Sequence, residues 1–178
     1  MQTRHLLVAI AAGAALTFGA AGTAHADTTG PTTATVTVTG GFLSITVPAD
    51  AGNLGTQVNS VNGGTISGPL GQVQVSDARS APAGSGWVAS AIATAFTPPA
   101  GPAIAASFVG YTAGAITQVG TATYTANDPA DLTGVSPVLT ATGITGDNSA
   151  TWNPMIHVTV AGGMAAGVYS ATITHSVV

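Results

Sequence analysis

Residues 72–91 read QVQVSDARSAPAGSGWVASA. Val73 and Val75 alternate with Gln72 and Gln74, the two-residue repeat of a half-buried strand. Trp87, Ala89 and Ala91 repeat the alternation after an interruption rich in Gly, Ser and Pro. Between the two runs sits Asp77-Ala78-Arg79. An exposed Asp–Arg pair adds only about 0–1 kcal/mol. The pair therefore reads as a device that organises the loop delivering Trp87. Arg79 has a second reading, as a planar fork for a ligand carboxylate. Trp87 also has two: a large core residue of a sandwich, or a stacking platform for sugar or peptide.

The same period of two recurs outward from this stretch. TATVTVTG (33–40) alternates Val36 and Val38 with threonine, and GFLSITVP (41–48) places Leu43, Ile45 and Val47 on one face. Further candidate strands are 86–94, 104–112, 116–125, 135–142, 151–160 and 168–177. Turn signals such as NGG, TPPAGP, NDP and AGG separate them. Alanine-rich pieces such as AIAASFV (103–109) lack a helical stripe with a polar face. About nine short strands without helices predict an all-β sandwich or barrel. In the last strand Tyr169, Ala171, Ile173, His175 and Val177 share one face, so His175 falls on the apolar side.

Residues 1–26 have the pattern of a secretory signal peptide. Arg4 and His5 precede an apolar run, and Ala24-His25-Ala26 closes it with small residues at the cleavage positions. The apolar run is shorter than the roughly 20 residues of a membrane span. The expected mature chain is 27–178, one domain, secreted and without a membrane span. Arg79 is its one Lys or Arg against six aspartates, and the chain has neither lysine nor glutamate. Nucleic-acid binding needs several cations for phosphate, so that partner class is excluded. The chain has no cysteine, and its hydrophobic fraction of 46% is enough for a core. Lysine-mediated isopeptide links have no residue to use.

Catalytic and metal chemistry finds little footing. Asp128 and Asp131 in NDPADL read as turn residues of the Asx kind. His157 and His175 lie on opposite kinds of face, and Asp147-Asn148 supplies only two ligands for a cation. No Gly-x-Ser-x-Gly elbow is present. The expectation is a non-enzyme with no cofactor and no metal.

LGQVQVSDARSAPAGSGWVASA (70–91) resembles the first signature of the WxL domain, a surface domain of Gram-positive bacteria. ATWNPMIHVTV (150–160) and AAGVYSATITHSV (165–177) are similar to the closing part of that domain. Both Trp-x-Leu motifs are degenerate: Ala89 stands in the place of the first Leu and His175 in the place of the second Trp. The framework positions Asp77, Arg79, Gly86, Trp87, Trp152 and Tyr169 match. The resemblance implies an Ig-like antiparallel β-sandwich held non-covalently on the cell wall. Its implied partners are peptidoglycan or other surface proteins. The candidate binding or loop-organising residues are Asp77, Arg79, Trp87, Trp152 and His175. Face parity adds the expectation that Trp87 and His175 are neighbours inside.

A second function stays open beside the first, a self-assembling subunit of an extracellular fibre or surface coat. Soluble sandwiches guard their edge strands with charge, lysine above all. Here the opening TATVTVT and the last strand to Val178 have almost none.

Overall fold

The computed structural model describes residues 31–178. Residues 38–178 form one compact unit, and residues 31–37 belong to a separate one. The predicted signal peptide lies outside the described residues. The described residues form eight strands: β1 (Leu43–Thr46), β2 (Gly64–Pro69), β3 (Val73–Ala93), β4 (Val109–Thr112), β5 (Ile116–Ala126), β6 (Ser136–Trp152), β7 (Met155–Val160) and β8 (Ile173–Val177). The described helical structure is a single 3-10 turn, Ala106–Phe108, inside the alanine-rich piece. The chain is an all-β sandwich of antiparallel sheets, as the alternation predicts.

One sheet runs β1-β3-β6-β5, with β8 also on β3; the other runs β2-β7-β4. Strands β1 and β8 share one side of β3, β1 against Gln74–Asp77 and β8 against Ala89–Ala93. Every pairing is antiparallel.

The two sheets are successive parts of one three-stranded ribbon. Strand β2 leads into β3, β6 into β7, and β4 into β5, and the pairings match on both sides of the junction. From Val73 opposite Trp152 to Pro69 opposite Met155, the outer strand advances four residues and the central one three. From Ile116 opposite Trp152 to Thr112 opposite Met155 the other outer strand does the same. The central strand takes the shorter path, as at a bend. Its residue there is Pro154, which has no N–H for the ladder. Both outer strands cross at glycines of positive φ, Gly71 (100°) and Gly114 (72°). The Gly71 N–H donates to Asn153 Oδ1 at 3.0 Å, and the Leu70 N–H to the Pro154 carbonyl at 2.9 Å.

The core draws on both sheets. Val73, Val75, Trp87, Ala89, Ala91, Leu139, Ile144, Ala150 and Trp152 come from the larger one, and Val109, Tyr111, Ile156 and Val158 from the smaller. Leu132, from the segment between β5 and β6, is fully buried among them. Alternation places the faces of the last two strands as predicted, with Ile156 and Val158 buried and His175 half-buried.

One predicted strand is absent. Residues 33–40 form no strand, and Val36 and Val38 are 89% and 88% exposed. Alternation alone does not make a strand without a neighbour to bond. Neither Gly40 nor Gly41 has the positive φ that a tight hairpin turn requires. Elsewhere the structure merges predicted strands. The predicted strands 71–77 and 86–94 both overlap the single 21-residue β3, and 135–142 and the start of 151–160 both overlap the 17-residue β6.

The bend at Gly71 has a measurable cost. A Cβ there would lie 2.6 Å from Pro48 Cγ, whereas at Gly143, also of positive φ, nothing lies within 4 Å. Gly71→Ala is expected to lose about 2–3 kcal/mol and Gly143→Ala about 1 kcal/mol, as urea midpoints would report.

Candidate functional site

The interruption inside QVQVSDARSAPAGSGWVASA is a second bend of the ribbon. Strand β3 advances ten residues from Asp77 to Trp87 while β6 advances seven, from Asn148 to Ala141. Register shifts mark the same level of β5, between Val119 and Thr123. Ser80 (φ 52°) and Gly84 (φ 89°) turn the excursion, and the Ser80 N–H donates to Asp147 Oδ1 at 2.9 Å.

The Asp77 and Arg79 side chains tie the excursion together. Arg79 Nε donates to Asp77 Oδ1 at 2.8 Å and Nη2 to Oδ2 at 2.9 Å, the two-point geometry that guanidinium and carboxylate share. The Arg79 N–H also donates to Oδ1 at 3.1 Å. From the other side Nη2 reaches the Gly86 carbonyl at 3.3 Å. One guanidinium therefore joins the point where β3 leaves its line to the point where it returns. The Asp77 side chain is fully buried, while that of Arg79 is 38% exposed. The hydrogen bond from Arg79 holds the Asp77 carboxyl below its usual pKa, against the opposing effect of burial.

Trp87 then enters the core at 2% exposure. Its Nε1 donates to Asn148 Oδ1 at 3.0 Å, and the Tyr124 hydroxyl donates to the same oxygen at 3.2 Å. The two rings pack tilted, 5.7 Å between centroids. Of the two readings of Trp87, the structure supports the core one. Asn148 is 6% exposed and lies in this cluster rather than beside Asp147 as a cation ligand.

Trp152 and His175 belong to a second cluster, centred on Tyr111. Trp152 Nε1 donates to the Tyr111 hydroxyl at 2.8 Å, and His175 Nε2 lies 3.3 Å from the same oxygen. The Tyr111 and His175 rings pack 5.7 Å apart. Since Tyr111 accepts from Trp152, its own O–H is available to His175 Nε2, which suits a neutral imidazole. His175 Nδ1 is buried without a hydrogen-bond partner. Burial raises the Tyr111 pKa and pushes that of His175 down to about 4. Trp87 and His175 both point inward, but they fall in separate clusters rather than packing as a pair.

The outer face of the smaller sheet carries the remaining polar constellation. Ser67 Oγ lies 2.8 Å from His157 Nδ1, and Thr112 Oγ1 3.2 Å from Nε2. An open cleft of about 310 Å³ beside them is lined by Phe108, Thr112, Asp128 and His157. Both imidazole nitrogens are engaged by hydroxyls, so no carboxylate orients the ring as a Ser–His–Asp set requires. Asp128 accepts instead from the Ala113 N–H at 2.8 Å. Asp131 accepts from the Thr133 N–H at 2.7 Å, the local turn expected of it. Among the described residues no group of three His, Cys, Asp or Glu is placed to hold a metal ion, and no helix is long and apolar enough to cross a membrane.

Tyr111 and Tyr124, which no motif in the sequence marks, and Asn148, weighed above only as a cation ligand, prove central. Their signal was indirect: a buried tryptophan needs a partner for its N–H, and two tryptophans require two. No protein-family model matches the chain, and neither a curated protein nor a solved structure matches it.

Arg79→Ala would leave the buried Asp77 carboxylate without its partner, at a cost of about 3 kcal/mol at neutral pH. Because the folded pKa of Asp77 is depressed, the pair's contribution is present above the ordinary value of 3.8 and lost as pH falls through the folded value. The difference between wild type and Arg79→Ala, measured by denaturant unfolding, is therefore expected to shrink below about pH 4. His175 acts in a higher window. Its unfolded pKa is 6.5 and its folded one about 4, so the unfolded chain binds the extra proton between them. Stability is complete above pH 6.5 and falls by about 2–3 kcal/mol down to pH 4. Thermal midpoints of His175→Gln are expected to lose that slope.

Proposed function

We propose that the chain is a non-catalytic module of the bacterial cell surface, exported and held non-covalently on the cell wall with peptidoglycan as its partner. One observation carries the reading. Of the residues that bear the resemblance to WxL domains, Asp77, Arg79 and Gly86 are joined in space by the hydrogen bonds that make the second bend, and Trp87 follows Gly86 directly. Trp152 ends the same sheet in the second cluster. The part of the sequence most like that family is therefore the part that fixes the shape. The signal-peptide pattern of residues 1–26 and the absence of lysine for covalent attachment agree with the reading.

The burial of Trp87 bears on where a wall contact would lie. A side chain that is 2% exposed offers no face to a glycan. The contact belongs on the polar exterior, where Phe108, 54% exposed, borders the cleft beside His157. A second reading, a subunit of an extracellular fibre or surface coat, is favoured by the uncharged outer edge of β5, which pairs with no other described strand.

The test is co-sedimentation of the purified chain with washed cell-wall sacculi. Saturable binding is expected, and no binding at any sacculus concentration overturns the proposal. Trp87→Ala should lose about 3–5 kcal/mol of stability, as large aromatic deletions in cores do. Its folded fraction should still bind the wall, whereas a wholly folded variant without binding would return Trp87 to the contact surface.

A further inference from the structure

The edges of the two sheets are protected unequally. In the smaller sheet the Tyr111 N–H of edge strand β4 donates to the Pro129 carbonyl at 2.8 Å. The other edge, β2, has Leu54 and Gln57 packed close against Gly68 and Gly64. In the larger sheet β5 stands last, with β6 on one side and no described strand on the other. It runs for 11 residues, ITQVGTATYTA, without a charge. Val119 on it is 66% exposed. A long edge without charge or proline is a template for another strand. The register shifts around Gly120 divide the edge into 116–119 and 123–126 without covering either part.

The chain also contains a strand-like segment with no pairing partner among the described residues. Residues 32–39, TTATVTVT, carry no charge and alternate Ala34, Val36 and Val38 with threonine. Among the described residues, the backbone of 31–40 makes no hydrogen bond. Directly after it the chain is held to β3, where the Gly41 N–H donates to the Ala78 carbonyl at 2.6 Å and Phe42 accepts from the Ala78 N–H at 3.2 Å. That point lies on the β1 side of the sheet, and β5 is three strands away. At about 4.8 Å per strand the crossing is about 14 Å. Crossing it would use about four residues at 3.3–3.6 Å each, so the segment cannot lie at full length along its own β5.

From these observations we infer that residues 32–39 of one copy add as a strand to the β5 edge of a second copy. Backbone hydrogen bonds supply the attraction, as in other strand additions. Period-two alternation gives the incoming strand an apolar side, Ala34, Val36 and Val38, and a threonine side toward water. Donor and acceptor are different parts of the chain, the donor leading into Gly41 on the β1 side and the acceptor being the β5 edge, so the contact is heterologous and each copy can give and receive. Repetition builds an open chain of subunits rather than a closed dimer. The inference stands apart from wall binding, since it uses neither the cleft nor either buried cluster.

The experiment is sedimentation velocity on the purified chain and two variants. Val36→Asp with Val38→Asp disables the donor, and Val119→Lys with Thr121→Lys disables the acceptor. All four positions are exposed, so both variants keep the core intact. The wild-type chain is expected to grow in mass with concentration and each variant to sediment as a monomer. An equimolar mixture of the two variants retains one working donor and one working acceptor, and is expected to stop at a dimer. A wild-type chain that stays monomeric up to its solubility limit overturns the inference. So does a mixture that stays monomeric, or association that persists in either variant alone.

Discussion

A buried carboxylate with one cation to answer it governs the shape of this protein. Asp77 lies inside the larger sheet, and the only Lys or Arg after residue 26 is two residues along. Leaving that charge unanswered would cost several kcal/mol, so the backbone from 78 to 86 is obliged to bring Arg79 round to it. The return of the chain at Gly86 follows, because the same guanidinium reaches the Gly86 carbonyl. Trp87 then enters the core at a fixed level opposite Ala141. The bend, the seat of Trp87 and the engagement of Asn148 are successive results of one ion pair.

The fold was legible in the chain because its strands obey a single rule. Alternation placed Val73, Val75, Ile156, Val158 and His175 on their correct sides, and glycine-rich breaks marked most turns. It failed at 33–40 because periodicity describes what a strand would bury and says nothing about whether a neighbour is present. It also divided β3 and β6 into shorter pieces, since a bend within a strand and a turn between strands use the same residues, Gly and Ser. The candidate site was legible in part. Asp77 and Arg79 are adjacent in sequence and their pairing could be read directly. Tyr111 lies 41 residues from Trp152 and 64 from His175, so their meeting is a product of topology that no local pattern encodes.

The two aromatic clusters share one design. Each places a tryptophan N–H on a single oxygen that a second group also uses: Asn148 Oδ1 for Trp87 and Tyr124, and the Tyr111 hydroxyl for Trp152 and His175. In a core made largely of alanine and valine, such polar contacts supply direction that small side chains lack. The second cluster is incomplete, since His175 Nδ1 is buried without a partner among the described residues. An unmet buried polar atom costs about 1–3 kcal/mol, so a residue that specifies the packing also limits its stability. Chemistry directed at other molecules is left to the outer surfaces and the strand edges.

The position of β3 also sets the order of events during folding. Its partners are β1, near residue 45, β6 in the middle of the chain, and β8, which ends at Val177. Val88 exchanges both backbone hydrogen bonds with Val178. The longest strand therefore cannot be completed until Val178 has arrived, and most of its contacts close very long loops. Such non-local pairing is slow compared with helix or hairpin formation. Until it is finished, one side of β3 from Val88 to Ala93 stays open, and those residues include Val88, Ala89, Ala91, Ile92 and Ala93. A chain emerging from its N-terminus must hold that apolar length unpaired while about 80 further residues are still to come.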